Sequence, residues 1–231
     1  MPQTGPYNYG AREARSHSQD GRLPWGKYIH TQDCFDRGLS RFNFGQNYDI
    51  TTLSVGGGSN DVTTLVSHNT IITGAVIDNQ GGTRIFSPIV QRAREFFASI
   101  NVELTSVADV EFRFGFWAAA TAYCYIVFDK SVNNDWRFTL NDTTGAEFAA
   151  ATFGAPGAGT TYFMRVWVET DGTPHWAMGT TWNNIREISA AGIAKKMTAT
   201  DHYLQYWIKT EGAAVKRADI DYLEIIKVKV H

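Results

Sequence analysis

Tyr162-Phe-Met-Arg-Val-Trp-Val-Glu169, Thr170-Asp-Gly-Thr-Pro174 and His175-Trp-Ala-Met178 follow one another directly, and this stretch decides the fold. Two apolar-alternating runs flank an Asp-Gly turn. That combination is the strongest short-range hairpin signal, because Asp and Gly accept the backbone angles of a tight turn between twisted strands. Successive strand side chains point to opposite faces. Tyr162, Met164, Val166 and Val168 therefore form a core face. Phe163, Arg165, Trp167 and Glu169 form an outer face that meets solvent, a neighbouring chain or a ligand.

The same grammar extends in both directions. Asn101-Val-Glu-Leu104 precedes Glu111-Phe-Arg-Phe-Gly-Phe-Trp117, residues 123–129 are closed by a polar turn at 130–135, and Trp136-Arg-Phe-Thr-Leu140 follows. Further on, Tyr206-Trp-Ile208 and residues 220–230 read as two more strands. A short helix fits only at 88–97 and 183–196. About ten strands without intervening crossover helices argue for an all-β chain of two antiparallel sheets packed face to face. A jelly roll suits that count better than a propeller, since no repeat of about 40 to 50 residues is visible.

The chain has 231 residues, of which 43% are hydrophobic and 19% charged. That is enough apolar material for one large domain and too little charge for a disordered chain. A net charge of -2 and a pI near 6.3 provide no basic field for a phosphate backbone, so nucleic acid is not an expected partner. No apolar run approaches the roughly 20 residues needed to span a bilayer, and residues 1–10 lack the layout of an export signal, so the reading is a soluble chain. Cys34 and Cys124 form no C-x-x-C pair and read as buried thiols.

Residues 1–34 differ from the remainder. Pro2, Pro6, Pro24, Gly5, Gly10, Gly21 and Gly26 interrupt them, and they show neither strand nor helix periodicity. They read as an extended N-terminal arm, with the sandwich occupying 35–231. Tyr7, Tyr9, Trp25 and Tyr28 would anchor that arm against another subunit, since a bare linker needs no aromatic residues.

Taken in order, Phe112-Arg-Phe-Gly-Phe116, Trp136-Arg137, a Thr/Ala/Gly-rich stretch to Thr161, Met164-Arg-Val-Trp-Val-Glu-Thr-Asp-Gly-Thr173, Lys209-Thr-Glu-Gly212 and Ile220-Asp-Tyr-Leu223 resemble the concanavalin A-like (laminin G-like) jelly-roll domain of tailed-phage structural proteins. The resemblance covers residues 97–230 and rests on packing and turn features. It implies a virion protein made in the host cytoplasm, most simply a capsid decoration protein that binds the major capsid protein or other virion subunits through its arm. A homo-oligomer is implied, a trimer being one form. The alternative it allows is a glycan- or receptor-binding module of a tail fibre or spike.

Enzymatic signals are weak. On this fold, laminarinase-like glycosidases carry E-x-D-x-x-E on one strand, and Asp219-Ile-Asp-Tyr-Leu-Glu224 is a near match with a shorter first acid. Ordinary polar residues on a terminal strand are the simpler reading, so no catalytic residue is expected. The six histidines are dispersed, and Asp129, Asn133, Asn134 and Asp135 match no known calcium loop, so neither a metal nor a cofactor is expected. Phe163, Trp167, Trp176, Trp182 and Trp207 are the candidate aromatics for a glycan or a subunit interface.

Overall fold

The computed structural model describes residues 28–34, 50–63, 68–90, 96–148, 153–188, 192–197 and 202–228. Among them lie fifteen strands and one 3-10 turn, Trp182–Asn184. One sheet runs β13 (Arg186–Ile188), β12 (Pro174–Gly179), β11 (Thr161–Val168), β6 (Phe96–Leu104), β15 (Arg217–Val228), β4 (His68–Ile72) and β3 (Ser59–Thr63). An eighth strand, β1 (Tyr28–Cys34), also pairs with β15. The other sheet runs β10 (Ala146–Phe148), β9 (Arg137–Asp142), β8 (Ala122–Asp129), β7 (Val110–Ala119), β14 (His202–Thr210), β5 (Gln80–Val90) and β2 (Ile50–Val55). Every pairing is antiparallel, as the sequence led us to expect.

The hairpin forms as read. β11 pairs with β12 from Phe163 opposite Gly179 to Val168 opposite Pro174, and burial along β11 alternates at every residue. Its inward side chains meet those of the second sheet in a core of aromatic contacts. Trp136 lies edge-on to Phe112 at 6.0 Å and to Tyr162 at 5.3 Å, and Phe138 stacks on Trp176 at 5.6 Å.

Two local expectations change. The window 88–97 holds the end of β5 and the start of β6, and 183–196 contains no more helix than the 3-10 turn among the described residues. In both, apolar residues recur because they alternate across strands or dock loops. The last seven residues of the stretch read as an arm, Tyr28–Cys34, run as β1 along β15, so the backbone of Tyr28 pairs with Val228. Tyr7, Tyr9 and Trp25 lie outside the described residues. Cys124 is a free, fully buried thiol, and burial raises its pKa.

A strap crosses the β10 edge. Ala194 and Lys195 donate their backbone N–H groups to Glu147 Oε2, and Lys195 Nζ donates to Asp142 Oδ1 at 2.9 Å. Hydrogen bonds from Thr144, then Lys195, hold the Asp142 carboxyl down at about 2, against 3.8 ordinarily. A depressed carboxyl pKa contributes stability above the unfolded value and loses it as pH falls through the folded one. The strap is therefore expected to hold at pH 4 and to loosen between 3.8 and about 2. Amide exchange at Thr144, whose N–H donates to Asp142 Oδ1, checks this: protection at pH 2.5 equal to that at pH 5 would refute it.

Candidate functional site

Side chains directly opposite one another in paired strands share a face. Following the register from strand to strand assembles rows across the outer face of the seven-stranded sheet. One row is Lys209, Glu111, Asp129. The next is Gly82, Trp207, Arg113, Val127, Arg137. The third is Arg84, Gln205, Gly115, Tyr125, Thr139, Phe148, and the fourth is Tyr203, Trp117, Tyr123, Asn141, Ala146. The opposite residues of β7 and β8, Phe112, Phe114, Phe116, Cys124, Ile126 and Phe128, are fully buried in the core.

This outer face is both aromatic and polar. Tyr123 and Tyr125 stack at 5.0 Å with 22° between their planes, and Trp117 leans on Tyr203 at 6.3 Å. The Arg84 guanidinium covers Trp117 at 3.7 Å, and Arg113 sits 5.1 Å over Trp207. Gln205 accepts from Arg84 Nε at 3.0 Å and donates to the Tyr125 hydroxyl across the side-chain-free Gly115. Burial raises the Tyr125 pKa, so its hydroxyl stays protonated. Arg113, Tyr123, Val127, Asp129, Arg137 and Phe148 are among the residues that line a shallow pocket on this face. It is an open surface depression with only about 40 Å³ of enclosed space.

Charge is anchored at one margin. Glu111 is buried, yet Arg113 Nε donates to its Oε1 at 2.5 Å and Lys209 Nζ lies 2.6 Å from its Oε2. Burial works against the Lys209 charge, but the bond to Glu111 and the neighbouring acids outweigh it and raise the Lys209 pKa. Glu211 has its pKa raised by burial and by Asp129. Glu111, Asp129 and Glu211 bring oxygens within 4.8 Å of one another. Glu111 is already neutralised by two cations, so the trio is read as an ion-pair margin.

The aromatics singled out from sequence scatter. Trp207 alone joins this face, where it is 9% exposed and forms part of the floor. Trp176 is a core residue with no exposure, because it pairs with inward-facing Val166; it is not presented to a ligand. Phe163 and Trp167 belong to the other sheet and Trp182 to the 3-10 turn beside it: Phe163 packs on Trp182 at 4.5 Å, Trp182 meets Tyr222 edge-on, and Trp167 stacks on His175 at 5.1 Å. Tyr28 lies in β1 on that sheet, far along β15 from the Asp219 end. Sequence reasoning missed Trp117, Tyr123, Tyr125 and Tyr203; the available signal was the outward Glu111 and Arg113 of β7, with which these residues share a face through strand pairing.

Asp219 and Glu224 share the outer face of the eight-stranded sheet, because a bulge falls between Ile220 and Tyr222. Their partners, Glu103 and Ser99, are four residues apart on β6, roughly 13 Å of strand between the two backbones. Asp219 accepts from Thr70 Oγ1 and Arg217 Nε, both at 2.8 Å, and Glu224 is fully buried.

No family model matches the chain, and no curated protein matches it. Among solved structures, it is similar to a protein of unknown function from Shewanella oneidensis MR-1, with TM-score 0.64 and 13% identity over 99% of this chain and 96% of that one. It is similar to peanut lectin, with TM-score 0.55 and 10% identity over 89% of this chain and all of that one. It is also similar to an endo-1,3-beta-glucanase from Streptomyces sioyaensis, with TM-score 0.55 and 10% identity over 90% and 99%. Identities this low show fold alone. The fold is a concanavalin A-like jelly-roll sandwich of two antiparallel sheets, the architecture of carbohydrate-binding lectins.

Proposed function

We propose that the protein is a non-catalytic carbohydrate-binding module whose site is the outer face of the seven-stranded sheet. The observation that carries this reading is the half-buried Tyr123, backed by Tyr125 and bordered by Asn141, Trp117 and Tyr203. Pyranose rings present apolar C–H faces that lie on such rings, while their hydroxyls take hydrogen bonds from amides such as Asn141. Lectin neighbours in the fold comparison support the reading. Asp219, engaged by Thr70 and Arg217, and Glu224, fully buried, favour binding without cleavage.

Tyr123→Ala is expected to stay folded and to lose about tenfold in saccharide affinity, the worth of one aromatic stacking contact. A glycan array read with both proteins tests this. Wild-type protein that retains no saccharide, or a Tyr123→Ala protein that binds as tightly as wild type, would overturn the site.

A second reading, the virion decoration role, is favoured by one end of the sandwich. Val55, Val76, Ile77, Val132 and Val215 are each more than half exposed there. Their loops are joined by Asn79 Nδ2 donating to Gly56 O, Asp78 N to Thr210 O and Ser131 N to Glu211 Oε2. Clustered exposed aliphatics suit a protein contact. On this reading Val76→Asp with Ile77→Asp leaves stability within about 1 kcal/mol and abolishes particle association. Double-variant protein found on particles at full occupancy would reject it.

A further inference from the structure

The pocket on the outer face carries a chemical preference that stacking alone does not explain. Arg113 and Arg137 flank Val127 in one row, and two strand spacings put their backbones about 10 Å apart. Val127 is short and 4% exposed, so it forms a floor between two longer side chains. Both arginines line the pocket, and so does Tyr123, two rows further along the sheet.

The two arginines are held differently. The Arg137 guanidinium carbon lies 4.4 Å from the Phe148 ring centroid, a cation–π contact. Among the described residues no carboxylate lies within ion-pair distance of Arg137. Arg113 has Glu111, but Glu111 also faces Lys209, so one buried carboxylate serves two cations. Asp129, the remaining acid on the pocket wall, accepts from Ser131 Oγ at 2.7 Å and from the backbone N–H groups of Ser131 and Val132. Of the charged side chains that line the pocket itself, Arg113 and Arg137 are cationic and Asp129 is acidic. A neutral sugar has no group that needs a planar cationic fork, whereas a carboxylate or sulfate matches it with paired hydrogen bonds.

Building on the carbohydrate reading, we propose that the ligand is an acidic saccharide: its ring lies on Tyr123, and its carboxylate or sulfate is received between Arg113 and Arg137. The net charge of -2 argues that any such preference is local to this pocket rather than a property of the whole surface.

Isothermal titration of the full chain with oligogalacturonate, a sulfated galactan oligosaccharide and a neutral laminari-oligosaccharide tests this. One of the two acidic ligands is expected to bind at least about tenfold tighter than the neutral one, and which of them does so separates carboxylate from sulfate recognition. Arg137→Gln should weaken that ligand by about tenfold, with Arg137→Lys recovering only part, because an ammonium lacks the fork. Lys196→Gln removes an equal charge at a distant pair with Asp171 and should change nothing. Equal or tighter binding of the neutral ligand, or an Arg137→Gln protein that matches Lys196→Gln, would overturn the acidic preference while the carbohydrate reading stands. Binding of none of the three, or acidic binding unaffected by Tyr123→Ala, would overturn both.

Discussion

Trp136→Ala is expected to cost about 3 to 5 kcal/mol, the range for removing a large aromatic side chain from a packed core. Against the roughly 5 to 15 kcal/mol that holds a typical domain together, this is a large share. Trp136 has no exposure and connects the two layers: Phe112 of β7 and Phe128 of β8 meet it from one sheet, and Tyr162 of β11 meets it from the other. Its backbone is pinned by a hydrogen bond to Gly154 O at 3.0 Å, so the surroundings cannot simply slide inward to fill the space. Trp136→Phe should cost far less, under about 2 kcal/mol. It keeps a ring in the site and removes an indole N–H that finds no acceptor among the described residues. Thermal melts of the two variants check the pair. A drop under about 3 °C for Trp136→Ala, near 1 kcal/mol for a chain of this size, would mean that the sheets are joined elsewhere.

The sandwich was legible wherever the two faces of a strand differ in chemistry. β11 alternates Tyr162, Met164, Val166 and Val168 with Phe163, Arg165 and Trp167, and the burial of each follows. The site was obscured where that contrast fails. β8 reads Ala-Tyr-Cys-Tyr-Ile-Val-Phe-Asp and is apolar nearly throughout, so period 2 alone does not say whether the tyrosines or the residues between them face inward. Its neighbour settles the matter: Glu111, Arg113 and Gly115 of β7 face outward, and direct pairing carries Tyr125 and Val127 with them. The same rule, applied to the hairpin, places Trp176 opposite Val166 and hence inside, which single-strand patterning does not reveal. Gly81 and Gly82 act by what they lack. Here they lie inside β5, and a Cβ on Gly82 would come within 2.5 Å of the Trp207 Cβ, so the missing side chain is what seats the tryptophan.

Gly115→Ala is expected to damage fold and site together. Gly115 sits mid-strand with φ of +151°, a region that residues with a Cβ rarely adopt. A methyl group there would overlap the Cys124 carbonyl oxygen and stand 3.1 Å from Tyr125 Cα, both backbone atoms of the paired strand β8. Neither can rotate away, so β7 and β8 must part at this row, at a cost of roughly 2 to 3 kcal/mol in strain and overlap. Gly154→Ala supplies the control. Its φ is +109°, but nothing lies within 4 Å of the added Cβ, so strain acts there without overlap and the loss should be nearer 1 kcal/mol. The consequence for binding differs in kind. Parting the strands at Gly115 breaks the reach of Gln205 to the Tyr125 hydroxyl, and with it the support beneath Tyr123. Saccharide affinity should therefore fall for Gly115→Ala even at temperatures where the protein remains fully folded, whereas Gly154→Ala should bind normally. A Gly115→Ala protein that melts with wild type would show that β7 tolerates a side chain at this row, and the outer face would then lack the rigid backing on which stacking depends.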